Sequence, residues 1–132
     1  MDFKDVVVSR RSMRAYDDSK TVTKDQIEEI VKMASYAPSW KNSQTARYYA
    51  VLDKDKCQEF ATKCLPEFNI RNSKGAAYMV IPALIQQRMK LRMNVEMAGV
   101  IMILGLTMKI FFLQLRKQDL IHLLWESGML RL

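Results

Sequence analysis

The chain has 132 residues, 49% hydrophobic and 27% charged, which suits one ordinary domain and excludes both a multidomain machine and an intrinsically disordered segment. Three prolines and four glycines exclude collagen-like or linker-like sequence, and two cysteines are too few for a disulfide scaffold, which points to a reducing compartment. A balance of 21 basic to 14 acidic side chains, net +7, favours anionic partners such as nucleotides, phosphates or nucleic acid without choosing among them.

The chain opens Met1-Asp2-Phe3-Lys4-Asp5, mixed in charge, so no secretory signal is expected and a cytoplasmic location is. Residues 2–9 read as a short opening helix. Thr23-Lys24-Asp25-Gln26 has the form of a capping box, in which the Thr side chain accepts the amide three residues on and Gln reaches back, so a helix should start there. Behind it Ile27, Ile30, Val31 and Ala34 fall on one helical face and give it an apolar stripe to bury. Pro38 should stop that helix. Residues 46–52, rich in Tyr and Val, read as a strand, residues 54–64 as a helix and residues 77–85 as a second apolar strand. Helix and strand alternate, which predicts mixed α and β layers rather than a bundle. Cys57 and Cys64 lie seven apart on one side of the 54–64 helix and are expected to pack it. No Cys-x-x-Cys or paired His supports a metal or redox role for them or for His122.

Two segments have the composition of a binding site. Arg10-Arg11-Ser12-Met13-Arg14 puts three guanidinium groups and a hydroxyl at the end of the opening helix, and planar bidentate donors of this kind match phosphate oxygens. A solvated basic turn would have the same composition. Pro38-Ser39-Trp40-Lys41-Asn42-Ser43-Gln44 follows the second helix and combines amides and hydroxyls with an indole, groups able to read the polar edge of a planar ring. An ordinary surface loop is the plain alternative.

In this order the two segments resemble the FMN-dependent nitroreductase family. Its pattern is Arg-Arg-Ser-x-Arg, a helix, Ala-Pro-Ser-x-x-Asn-x-Gln, then a strand. Here it stands as residues 10–14, the helix after Thr23, residues 37–44 and the strand from Ala46. The resemblance implies an α+β, nitroreductase-like fold with a three-layer arrangement of sheet and flanking helices, incomplete in this chain. It implies that Arg10, Arg11, Ser12 and Arg14 bind the phosphate and ring edge of FMN. Asn69, in Phe68-Asn69-Ile70-Arg71-Asn72, would also contact the flavin. Pro38, Ser39, Trp40 and Asn42 would reach the ring bound mainly by the other subunit of a homodimer. The implied activity is ping-pong hydride transfer from NAD(P)H through FMN to a nitroaromatic, quinone or similar small-molecule acceptor. The chemistry belongs to the cofactor, so no catalytic side chain is named. Thr45-Ala46 stands where many members have Pro-Trp.

Past Ile85 the text changes. Residues 1–85 carry 14 basic and 11 acidic side chains, whereas residues 86–132 carry 7 and 3, with six of the ten methionines. The apolar run over residues 98–108 shows neither helical nor strand periodicity. A membrane span is disfavoured because Lys109 interrupts a stretch that would need about 20 apolar residues. A shifted reading frame accounts for these features. Met and Trp have single codons, so Met97-Ala98 hides a forced Gly, Met102-Ile103 an Asp, Met108-Lys109 a Glu and Trp125-Glu126 a Gly, each where the family pattern wants it. Permitted codons for residues 115–129 can also hide Ala-Lys-Ala-Gly-Leu-Asp-Thr, which resembles a later family stretch. The expectation is an N-terminal nitroreductase-like part over residues 1–85 and an out-of-frame, truncated segment over residues 86–132. Flavin binding and dimerisation by this chain are then expected to be weak or absent. From other classes, a small basic protein binding nucleic acid or an anionic surface, and a soluble head with a membrane-associated tail, are the alternatives. Basic and acidic residues alternate through residue 60 and no RNA-binding aromatic signature or zinc-finger spacing is present, so neither nucleic acid nor membrane is the expected partner.

Overall fold

The computed structural model describes residues 1–39, 42, 44–84, 95–118 and 120. Trp40, His122 and the Trp125-Glu126 pair, singled out above, lie outside the described residues. The elements run α1 (Phe3–Ser9), α2 (Lys24–Ala34), β1 (Ala46–Val51), α3 (Lys54–Cys64), α4 (Glu67–Asn72), β2 (Met79–Leu84) and α5 (Val95–Lys117).

The early helices start where local chemistry starts them. Asp2 caps α1, its carboxylate accepting from the Lys4 and Asp5 amides at 2.6 and 3.3 Å. The capping box of α2 forms, with the Gln26 amide donating to Thr23 Oγ1 at 3.3 Å and the Thr23 amide donating to Gln26 Oε1 at 2.9 Å. Asp53 caps α3 by accepting from the Lys56 amide at 2.9 Å. The end of α2 differs from expectation. The helix closes at Ala34, before Pro38, because the Ser35 hydroxyl donates back to the Lys32 carbonyl at 2.7 Å and the Tyr36 and Ala37 amides take tighter, three-residue bonds.

β1 and β2 pair antiparallel, from Ala46 opposite Leu84 to Val51 opposite Met79. Alternation sends successive side chains to opposite faces. On one face Tyr48 and Val80, with Tyr78 just before β2, meet a core of Ile27, Ile30 and Ala34 from α2 and Phe111 and Leu115 from α5. On the other, Val51, Met79 and Ile81 meet Cys57 and Ala61 of α3. The result is the expected α+β sandwich of three layers, helices on both sides of a sheet that has two strands among the described residues.

Three further expectations need correction. Cys57 is buried and packs α3, but Cys64 is exposed, because it ends the helix beyond the reach of the sheet. Residues 67–72, read only as a motif, form α4. Most notably, the apolar run over residues 98–108 lies within a 23-residue helix. Among its described side chains Thr107, Phe111, Gln114 and Leu115 are buried, two of them polar, while Met102 and Leu106 are exposed. A stripe that mixes polar with apolar, facing an outer side that carries apolar residues, leaves no period to read. Among the described residues no helix is long and apolar enough to cross a membrane.

Candidate functional site

The basic turn begins where α1 ends. The Arg10 amide closes the helix by donating to the Val6 carbonyl at 3.1 Å. No basic residue lies within the last turn of α1, and Arg11 supplies that charge from outside, its Nη1 donating to the carbonyls of Val8 and Arg10 at 2.7 and 2.8 Å. One nitrogen of Arg11 is therefore committed to the helix end. Arg10 and Ser12 are half-buried and Arg14 is exposed. Among the described residues no carboxylate pairs with Arg10, Arg11 or Arg14, so the turn presents donors and positive charge without an acid to answer them.

The chain after Arg14 is fastened to the turn that follows α4. Gly75 adopts a φ of 81°, left-handed backbone that glycine takes without strain. A side chain placed there would meet Asp18 and Tyr16 at 3.8 to 3.9 Å. Lys54 Nζ donates to the Asp18 carbonyl and ties the same segment to the start of α3. Burial pushes the Tyr16 phenol up to about 12, against the opposing pull of the Arg14 guanidinium. Burial also raises Tyr78, with Tyr16 adding to the shift, so the two phenols share one environment. Asn69, half-buried in α4, stands in the helix that leads into this turn. The chain just after the 10–14 segment thus meets the turn just after α4, through Tyr16 and Gly75. No hydrogen bond joins Asn69 to the arginines.

The 38–44 loop feeds β1 at Ala46, at the end of the sheet where Ala46 lies opposite Leu84. Six residues of strand put about 17 Å between the two ends. Ser39 organises the loop, its carbonyl accepting from the Asn42 amide at 2.9 Å and its hydroxyl from the Gln44 amide at 2.6 Å. Asn42 and Gln44 have φ of 53° and 47°, left-handed conformations that cost non-glycine residues of order 1 kcal/mol or more. Pro38 and Asn42 are exposed and Ser39 is half-buried. Of the residues singled out from sequence, then, Arg14 and Asn69 belong to the segments that lead into the Tyr16–Gly75 contact, while Pro38, Ser39 and Asn42 belong to the loop before β1.

Sequence reading missed the residues that fasten the first group. Tyr16 and Tyr78 carried no motif, and only the presence of Tyr two residues after the last arginine of the basic turn could have marked one of them. Arg116, in a stretch with no readable pattern, donates through Nε to the Ser9 hydroxyl at 3.0 Å.

Comparison with known proteins agrees with this architecture. Over 50 residues the chain is 36% identical to a curated Bacillus subtilis protein, YdgI, named as an NAD(P)H nitroreductase, a match that takes in 38% of this chain and 24% of YdgI. A nitroreductase-like family protein from Bacillus cereus superposes with a TM-score of 0.75 at 17% identity, over 98% of this chain and 71% of that one. A Desulfovibrio desulfuricans protein described as a nitroreductase and solved in complex with FMN superposes with a TM-score of 0.67 at 21% identity, over 89% of this chain and 64% of that one. This chain therefore spans a quarter of its curated relative and under two thirds of the FMN-bound structure. The family profile of the nitroreductases matches residues 7–119, from within α1 to just past the end of α5, and on that match the chain belongs to the nitroreductase family.

Proposed function

We propose that this chain carries two halves of a flavin mononucleotide site, which are brought together when two copies associate. The observation that carries the reading is the donor set of Arg10, Ser12 and Arg14, with which no carboxylate among the described residues pairs. A phosphate monoester fits the first group, since a dianion supplies the acceptors that no carboxylate among the described residues provides. In this reading Arg10, Arg14 and Ser12 bind the phosphate, Arg11 contributes charge while capping α1, and Asn69 contacts the flavin. The exposed amide of Asn42, with Pro38, Ser39 and Trp40, meets the ring of the flavin held by the partner. When bound, FMN supplies hydride chemistry between NAD(P)H and a nitroaromatic, quinone or similar acceptor, by a ping-pong route. The protein's part is to bind the phosphate, orient the ring and hold the second copy in register.

Titration of the purified chain with FMN, followed by flavin fluorescence, tests this. With residues 86–132 out of frame binding should be weak, and because the site is shared its affinity should rise with protein concentration, about tenfold or more between a dilute and a concentrated sample. Binding that is equally tight in monomers excludes a shared site, and no binding at high concentration excludes the flavin reading.

The reading frame beyond residue 85 is a second part of the proposal. The four residues forced in the alternative frame, together with the loss of acids, support a shift near that position in the coding DNA. Sequencing across codons 80 to 95 and on past the stop tests it. A frame that encodes this sequence as it stands, with the family pattern carried on in the alternative frame past the stop, is the expected result and makes this chain the product of a shifted gene. An alternative frame without that pattern removes the division at residue 85.

A further inference from the structure

We propose that Arg116, near the C-terminal end of α5, is a positioning residue for the phosphate-binding turn over residues 10–14. The inference rests on the flavin-phosphate reading above, and deepens it by assigning a residue outside that turn to the same site.

The case begins with how poorly α1 is held by burial alone. It has seven residues, too few for an isolated helix to persist in water, and its buried residue is Val6. Phe3 is 76% and Val8 61% exposed. Full burial is therefore concentrated at Val6, and the direction of the turn that follows depends on further bonds at the end of the helix.

The Arg116 guanidinium sets it. Its Nε donates to Ser9 Oγ at 3.0 Å, across 107 residues of sequence. Ser9 is the last residue of α1 and adjoins Arg10, and both Ser9 and Arg116 are half-buried, so the bond is partly shielded from competing water. A hydrogen bond from a charged donor is among the stronger ones a protein makes. α5 is itself anchored one residue back, where Leu115 is 1% exposed in the core under α2. The chain of support thus runs from the core, through Leu115 and Arg116, to Ser9 and into the turn.

Charge gives the arrangement a direction. The bond holds the end of α1 beside a turn that carries the guanidinium groups of Arg10, Arg11 and Arg14, with no carboxylate ion-paired to them among the described residues. Gathering like charges is unfavourable unless an anion answers them. A phosphate monoester does so, and Arg116 acts on its site through Ser9 rather than by contact.

The test uses the full chain with two flavins that differ only in the phosphate, FMN and riboflavin, titrated by fluorescence. R116Q and S9A should each weaken FMN about five- to tenfold and leave riboflavin unchanged, since the loss falls on phosphate recognition. R116K should restore part of the affinity. The double variant should be no weaker than the worse single one, because both remove the same bond. Equal losses for FMN and riboflavin, or additive losses in the double variant, would overturn the assignment. Hydrogen exchange at the Arg10 amide, which bonds to Val6, supplies a readout without flavin. It should quicken about tenfold in R116Q and S9A while amides in α3 keep their rates, and unchanged exchange at Arg10 overturns the positioning role even if flavin binds. Should the parent chain bind neither flavin while Arg10 exchange responds as expected, the flavin reading fails and the mechanical role of Arg116 stands.

Discussion

The elements before residue 85 and the long helix after it are built on different terms. Of the first five helices and strands in the chain, three are helices opened by side-chain caps at Asp2, Thr23 and Asp53. α2 adds an apolar stripe of Ile27, Ile30 and Ala34 that buries as a unit. α5 has a mixed stripe, with Thr107 and Gln114 buried beside Phe111 and Leu115. Met102 and Leu106 stay exposed, and a Cβ at Gly105 would meet nothing within 4 Å. The difference teaches that the first region specifies its helices locally, whereas α5 owes its place to what α2 and the sheet offer it.

The largest effect that can break this comparison comes from the core the two regions share. Ile30 is fully buried and Leu115 nearly so, and they belong to one cluster. Truncating either to Ala should cost about 3 kcal/mol, the range for a large aliphatic residue in a core that cannot collapse around the gap. Urea unfolding of I30A and L115A in the full chain measures both. Similar losses mean that α5 is as integral as α2; a loss below about 1 kcal/mol for L115A alone would show a helix that merely rests on the core.

Local specification is tested at Thr23. T23A removes the acceptor for the Gln26 amide and should cost about 1 kcal/mol, read as a lower urea midpoint at an unchanged slope. A loss approaching that of L115A would mean that α2, too, depends on long-range packing more than on its own start.

At Tyr48 the expected sign reverses. Its ring stacks on Phe111 with centroids 5.8 Å apart and planes 8° from parallel, while its buried hydroxyl finds no hydrogen-bond partner among the described residues. Y48F keeps the stack and removes the unsatisfied group, so it should stabilise the fold by up to about 1 kcal/mol. A destabilisation larger than about 0.5 kcal/mol would show the hydroxyl to be satisfied in solution and the fit of α5 against the sheet to be closer than the structure has it.

These contrasts explain what could be read from the sequence. The capping box at Thr23, the α2 stripe, both strands and α3 are set by neighbours a few residues away, and pattern alone finds them. The basic turn and the 38–44 loop were visible for the same reason, as dense local composition. Three things were not. Pro38 drew attention as the stop, but the Ser35 hydroxyl ends α2 first. Cys64 shares a helical side with Cys57, yet position along the helix, not face, decides burial at its end. Arg116 and Tyr16 matter through partners 107 residues away or across a glycine turn, relations that no window of adjacent residues contains.

The smallest effect appears only in alkaline solution and separates the regions by their chemistry. The segment after the basic turn holds Tyr16, raised by burial from 10.0 to about 12, with Tyr78 raised in the same direction, whereas α5 contains no tyrosine. A phenol whose folded pKa lies above its unfolded one contributes stability in full below pH 10. Between about 10 and 12 the unfolded chain has lost the proton that the folded chain keeps, so stability falls as pH rises. Y16F should therefore lose less stability than the parent over that window and match its pH dependence below it. The Arg14 charge favours the phenolate, so R14Q should move the ultraviolet titration of Tyr16 higher still. If Y16F and the parent decline in parallel above pH 10, the clasp between residues 14–18 and the Gly75 turn is open in solution. The 10–14 turn would then depend for its placement on α5 alone.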